Sequence, residues 1–131
     1  MTDGSRFRSK SEASAPTDPK VDPTTHILTD LRSLSKDAQQ IGRLGREHFL
    51  GVDGMLARHA ADGILIKVQE LCDRLPESFR AAKPEVNWAA IRGTRNRLSH
   101  NYRATDHRIV WETITVGLPD LIAQIVGPSG E

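Results

Sequence analysis

The chain has 131 residues, of which 37% are apolar, 27% charged and only 5% aromatic, and its formal net charge is +1. That length fits one domain with a core large enough to fold without disulfides or metal, and the single cysteine, Cys72, excludes an intrachain disulfide. The near-neutral total does not mark a globally basic nucleic-acid binder, and so few aromatics leave a core of Leu, Ile, Val and Ala, which suits helices better than a β-sandwich.

Residues 1–23 are rich in Ser, Thr, Pro, Asp and Lys and predict a disordered extension. A helical domain is expected over 24–127. Thr24 or Thr25 can cap its first helix, whose stripe Ile27, Leu31, Leu34, Ala38, Ile41 recurs at spacings of three and four. Gly42 and Gly45 loosen its end, and 48–54 reads as a turn-rich connector. A second helix is predicted from about Met55 to Leu75, with a face of Leu56, Ala60, Ile64, Leu65, Val68, Leu71, Cys72 and Leu75. Cys72 on that stripe reads as a small core residue. Pro76 and Pro84 bound the next loop. Asn87 is a plausible cap for a third helix carrying Trp88, Ala89, Ile91 and Leu98. A fourth starts after Thr105 or Asp106 and carries Ile109, Val110, Ile114, Leu118, Leu121, Ile122 and Ile125, with a kink or break predicted at Pro119. Residues 128–131 form a tail.

Four amphipathic helices with short connections predict an all-α, antiparallel bundle. There is no sustained period of two, no internal repeat and no glycine-rich phosphate loop. No apolar run approaches the length of a membrane span, and the N-terminus lacks the apolar core of a signal peptide. A cytoplasmic protein without a membrane partner is therefore expected. His26, His48, His59 and His107 show no ligand spacing, so neither metal nor cofactor is expected.

The stretch 91–103 is different in kind. Between Arg92 and Arg108 stand five arginines (Arg92, Arg95, Arg97, Arg103, Arg108) against one acid, Asp106, with His100 and His107 among them. A local basic patch can hold a polyanion although the total charge is small; a solvated helical face is the plainer alternative. RNA cleavage requires a proton to leave the ribose 2′-hydroxyl, charge to be stabilised on the phosphate, and the leaving 5′-oxygen to be protonated. Histidine titrates near neutrality and serves as base or acid. Arginine keeps its charge and matches phosphate with a fork of donors. His100 and Arg95 with a polar helper could do this without metal. Five residues at roughly 100° each separate Arg95 from His100 by about 140° on an ideal helix. Either the helix ends between them, or a partner subunit completes the site.

Arg95, four residues, His100, one residue, Tyr102 resembles the HEPN motif, and the His-x-Tyr ending is similar to that of the HepT toxins. Asn96 matches a polar residue that HEPN ribonucleases often carry after the arginine. Trp88, Ile91 and Arg95-Asn96-Arg97-Leu98 resemble the "W..I.G.RN.L.H.Y" stretch of HepT-like proteins. Asp106, Val110-Trp111 and Leu118-Pro119-Asp120-Leu121 resemble the helix that follows it, and Val68-Gln69-Glu70-Leu71 resembles the family's "IGEA" segment with Gly and Ala replaced. The good match spans residues 85–126, and the run with Trp88, Tyr102, Trp111 and Pro119 is far more specific than a bare Arg-x4-His.

The resemblance implies a HEPN-like bundle of four or five helices, a homodimer with a composite site, and metal-independent cleavage of RNA such as tRNA or mRNA. Arg95, His100 and Asn96 are then catalytic, and Arg92, Arg97 and Arg103 are candidates for binding the RNA backbone. It also implies a cognate nucleotidyltransferase antitoxin, which in some such pairs transfers AMP from ATP onto the tyrosine matching Tyr102. Plainer readings stand beside these: His100 as a histidine favoured at a helix C-terminus, Arg95 as a surface ion-pair partner, Tyr102 as a packing residue, and Glu70 as a solvated carboxylate rather than a partner of a site arginine. At the level of the whole chain, the rivals are a non-catalytic subunit that binds nucleotide or substrate for a nucleotidyltransferase, and a plain helical structural protein.

Overall fold

The computed structural model describes residues 22–92 and 106–127. Residues 1–21 of the predicted extension over 1–23, and the tail at 128–131, lie outside them. Helix α1 spans Thr24–Arg43 and buries Ile27, Leu31, Ala38 and Ile41, the stripe expected from the spacing. Neither Thr24 nor Thr25 caps it: both lie within the helix, the N-cap position is Pro23, and Asp22 Oδ1, two residues before Thr24, accepts the Thr24 amide at 3.0 Å. That bond draws the Asp22 carboxyl below its usual range. Gly45, at φ 92°, turns the chain through the left-handed region that glycine enters without strain.

The expected connector is more ordered than its composition suggests. It folds as a short helix α2, Arg46–Leu50, followed by a 3-10 turn, Val52–Gly54. Phe49 is fully buried there and lies 5.2 Å from the Trp111 ring, centroid to centroid. Arg58 pins the junction from the next helix, donating Nη1 to the carbonyls of Phe49 and Gly51 at 2.8 Å each. Gly54 is required by close approach: a Cβ there would sit 2.3 Å from the carbonyl oxygens of both His48 and Phe49.

Helix α3 spans Met55–Arg74 and buries Ile64, Leu65, Val68, Leu71 and Cys72 as expected. Its first turns differ. Ala57 and Ala61 are buried, while Leu56 is 74% exposed and Ala60 is also outside. The predicted face was one residue out of phase, about 100° of rotation. The last carbonyls of α3, which have no partner within a helix, are met by a cation: Arg80 Nη1 donates to Cys72 O and Asp73 O at 3.2 Å and to Leu75 O at 2.6 Å. Arg80 is carried by α4, Glu77–Ala81. A helical turn follows at 88–92.

The chain then runs from α5, His107–Glu112, through a π turn, Thr113–Gly117, into α6, Leu118–Val126. The predicted kink or break at Pro119 takes the form of that π turn, and the helix continues. Proline removes one amide and clashes with the carbonyl four residues back. Widening the preceding turn, where the Leu118 amide reaches Thr113 O five residues back, accommodates both. The whole run His107–Val126 is long and apolar enough, by length and composition alone, to cross a membrane, a test that the core helix of a soluble protein also meets. Here its apolar side, Val110, Trp111, Ile114, Leu118, Ile122 and Ile125, is buried in the bundle.

Two pairs of contacts fix the topology. Arg32, early in α1, donates to Val126 O at the end of α6 at 3.4 Å, and Gly42, late in α1, faces Thr115 in the π turn. Hence α1 and the α5–α6 helix are antiparallel. A cleft lined by Asp30, Ser33 and Leu34 of α1 and by Lys67, Glu70 and Asp73 of α3 joins the start of one to the end of the other. Those two helices are antiparallel as well. The described residues contain no strand, and the protein is an all-α bundle with one core shared by all the long helices.

Candidate active site

The described residues on either side of the polar stretch are anchored in the bundle. On the entry side Val86 and Ile91 are buried, 3% and 8% exposed. Asn87 caps the turn as expected, its Oδ1 accepting the Ala90 amide at 3.0 Å, and Trp88 Nε1 donates to Lys83 O at 3.2 Å. Trp88 is thus a half-buried packing residue. On the exit side Asp106 caps α5. It accepts the Arg108 amide at 3.0 Å and grips the Arg108 guanidinium from Nε and Nη2 at 3.1 and 3.0 Å. Those hydrogen bonds hold the Asp106 carboxyl below its usual range. Buried Val110 and Trp111 lock the helix behind it.

Arg95, Asn96, Arg97, His100, Tyr102 and Arg103 lie between these anchors, outside the described residues. Arg92 is the one predicted site residue among those described. It is exposed and ion-paired, its Nη2 standing 3.2 Å from Asp73 Oδ1. Asp73 also accepts a hydrogen bond from Gln69 Nε2. Glu70, the next residue on α3, is exposed on the wall of the cleft between α1 and α3. That cleft has a volume of about 630 Å³, and Asp73 belongs to both the cleft and the Arg92 pair. The entry to the polar stretch is therefore tied to the C-terminal half of α3. The sequence reading passed over Gln69 and Asp73 as a pair, although their spacing of four on a helix was a usable signal.

Cys72 lies beside this region and is buried, 3% exposed. Burial, reinforced by the Asp73 carboxylate and opposed by Arg80, pushes its thiol up to about 12. A second buried group lies further up α3. Asp62 is 7% exposed, and neither of its carboxylate oxygens has a hydrogen-bond partner among the described residues. Burial raises its pKa, against the opposing pull of His107 and His59.

An all-α bundle whose sequence carries Arg-x4-His-x-Tyr between two anchored helices is of the HEPN type. The ribonuclease HepT-like family matches residues 26–126, and the chain belongs to that family. It is 38% identical over 100 residues to a protein of Caldanaerobacter subterraneus subsp. tengcongensis named "Putative RNase", a match covering 76% of this chain and 85% of that one. It is 30% identical over 54 residues to a "Probable ribonuclease HepT" of Thermococcus cleftensis, covering 41% of this chain and 49% of the other. A "Putative RNase" of Methanocaldococcus jannaschii is 24% identical over 70 residues, 53% of this chain and 60% of its own length. No solved structure matches the chain.

Proposed function

We propose that this protein is a metal-independent endoribonuclease, the toxin of a toxin–antitoxin pair, acting on tRNA or mRNA in the cytoplasm. The observation that carries the reading is the position of Arg95, His100 and Tyr102 inside the span matched by the ribonuclease HepT-like family.

In the proposed reaction His100 takes the proton of the ribose 2′-hydroxyl, or returns one to the leaving oxygen. The 2′-oxygen attacks the adjacent phosphorus, and the bond from phosphorus to the 5′-oxygen breaks. The products are a 2′,3′-cyclic phosphate and a free 5′-hydroxyl. Arg95 stabilises the charge that develops on the phosphate, a contribution that grows in the transition state, and Asn96 assists with a hydrogen bond. Arg97 and Arg103 hold phosphates on either side. Two copies of the chain build the site together, which resolves the angular separation of Arg95 and His100 on a straight helix.

Neutralisation by a nucleotidyltransferase antitoxin belongs to the same reading. Transfer of AMP from ATP onto the Tyr102 hydroxyl, with pyrophosphate leaving, would place a phosphodiester charge beside the site and repel RNA. Incubation with the cognate antitoxin and ATP should add one AMP to the intact mass, and the Tyr102→Phe variant should take up none; an unchanged wild-type mass removes this part of the account.

The test of the central reaction is cleavage of total RNA and tRNA by the purified protein in excess EDTA. Wild type should cleave, while Arg95→Ala and His100→Ala should each lose at least about two orders of magnitude. A folded, unmodified wild type that leaves both RNA pools intact, or variants as active as wild type, would overturn it.

A further inference from the structure

We infer that Asp73, held by the buried amide of Gln69, is a positioning residue for the polar stretch, and that Arg92 is its strut rather than a phosphate contact. This rests on the nuclease reading of the residues that Arg92 introduces.

The geometry runs outward from the core. Gln69 is 2% exposed and lies one turn before Asp73 on the same face of α3. Its Nε2 donates to Asp73 Oδ2. Its Oε1 is buried with no hydrogen-bond partner among the described residues. The amide has no better orientation, because reversal would turn Oε1 toward a carboxylate oxygen. Asp73 is held from the backbone side as well, its carbonyl accepting Arg80 Nη1 at 3.2 Å. One carboxylate oxygen and the carbonyl are thus held by groups other than Arg92. The other oxygen, Oδ1, receives Arg92 Nη2 at 3.2 Å across 19 residues of sequence.

Two considerations favour a strut over an RNA contact. Both side chains are substantially exposed, at 69% and 43%. An ion pair so open to water contributes little to global stability, but an acceptor already immobilised can still fix the direction of the arm it holds. Asp73 is also a poor neighbour for RNA. A carboxylate on the rim repels phosphate and competes with it for Arg92. Positioning gives that carboxylate a role. Arg92 precedes Arg95 by three residues, so a displacement at the strut reaches the catalytic arginine, and about 1 Å of misplacement can cost a hundredfold in rate.

The test compares Asp73→Asn, Arg92→Ala and the double variant in full-length protein, reading kcat, KM and the salt dependence of RNA binding. The strut predicts roughly a tenfold loss of kcat in each single variant, an unchanged KM, and a double variant no worse than either. Exchanging the pair, Asp73→Arg with Arg92→Asp, should recover part of the loss. The opposite pattern would overturn the inference: Arg92→Ala raising KM and flattening the salt dependence by about one phosphate contact, with Asp73→Asn lowering KM by freeing Arg92. Should the wild type cleave no RNA, the nuclease reading fails by itself, and amide exchange at 88–92 judges the strut. Faster exchange in Asp73→Asn than in wild type supports it; equal exchange removes it.

Discussion

Asp62 shows how much one side chain can set. It is 7% exposed on α3, its oxygens lack a hydrogen-bond partner among the described residues, and burial raises its pKa above the ordinary 3.8 while His107 and His59 pull it down. A carboxyl whose folded pKa is raised holds its proton in the native state where the unfolded chain has already lost it. Its contribution to stability is complete below 3.8 and is lost as the pH rises through the folded value. At neutral pH the buried charge is a burden, so Asp62→Asn should stabilise the protein by about 1 kcal/mol. The melting temperature should rise by several degrees, and the gain should shrink as the pH falls toward 3.8. A fall in melting temperature at neutral pH would mean that the carboxylate is partnered after all. Cys72, with its thiol near 12, should resist a thiol-specific reagent at mildly alkaline pH until the protein unfolds; prompt labelling of the native protein would contradict its burial. The sequence placed Cys72 in the core correctly. It gave no sign of Asp62, because a lone acid between Ala61 and Gly63 reads as a solvated position.

At the scale of elements, legibility followed length. The long runs α1 and the second half of α3 repeat their apolar spacing often enough to fix the buried face, and the side-chain caps Asn87 and Asp106 were readable because each is a capping residue type just ahead of buried apolar positions, Ile91 and Val110. The five residues of α2 are too few to show a period, and its order comes from tertiary contacts: Phe49 against Trp111, and Arg58 holding two carbonyls. The start of α3 misled for the same reason, since small Ala57 and Ala61 turn inward while the larger Leu56 faces solvent. Two variants probe this junction by thermal or urea unfolding. Arg58→Ala strips charged donors from two backbone carbonyls and should destabilise by about 1.5–3 kcal/mol. Gly54→Ala would drive a Cβ to 2.3 Å from two carbonyl oxygens that no side-chain rotation can clear, and should cost about 3 kcal/mol or more. Unchanged stability in Gly54→Ala would show that the junction is looser than described.

For the whole molecule, the family and the all-α architecture were legible because both depend on patterns within one chain: helical periodicity, and a motif with its flanking aromatics and proline. The setting of the motif was less so. Asp73 and Gln69 come from a different helix, and sequence separation hid their link to Arg92. In the proposed reading, a helical frame anchored at buried Ile91 and at the Asp106 cap carries the short polar stretch to which the chemistry is assigned. A composite site predicts a dimer in solution at assay concentrations, by sedimentation; a fully active monomer would contradict it. The most direct test of the central claim is the chemistry of the cut ends, produced in excess EDTA. The account predicts a 2′,3′-cyclic phosphate and a 5′-hydroxyl, and no cut where the ribose at the site lacks its 2′-hydroxyl. A 3′-hydroxyl with a 5′-phosphate, or cleavage of the 2′-deoxy substrate, would contradict attack by the 2′-oxygen at a site built from Arg95 and His100.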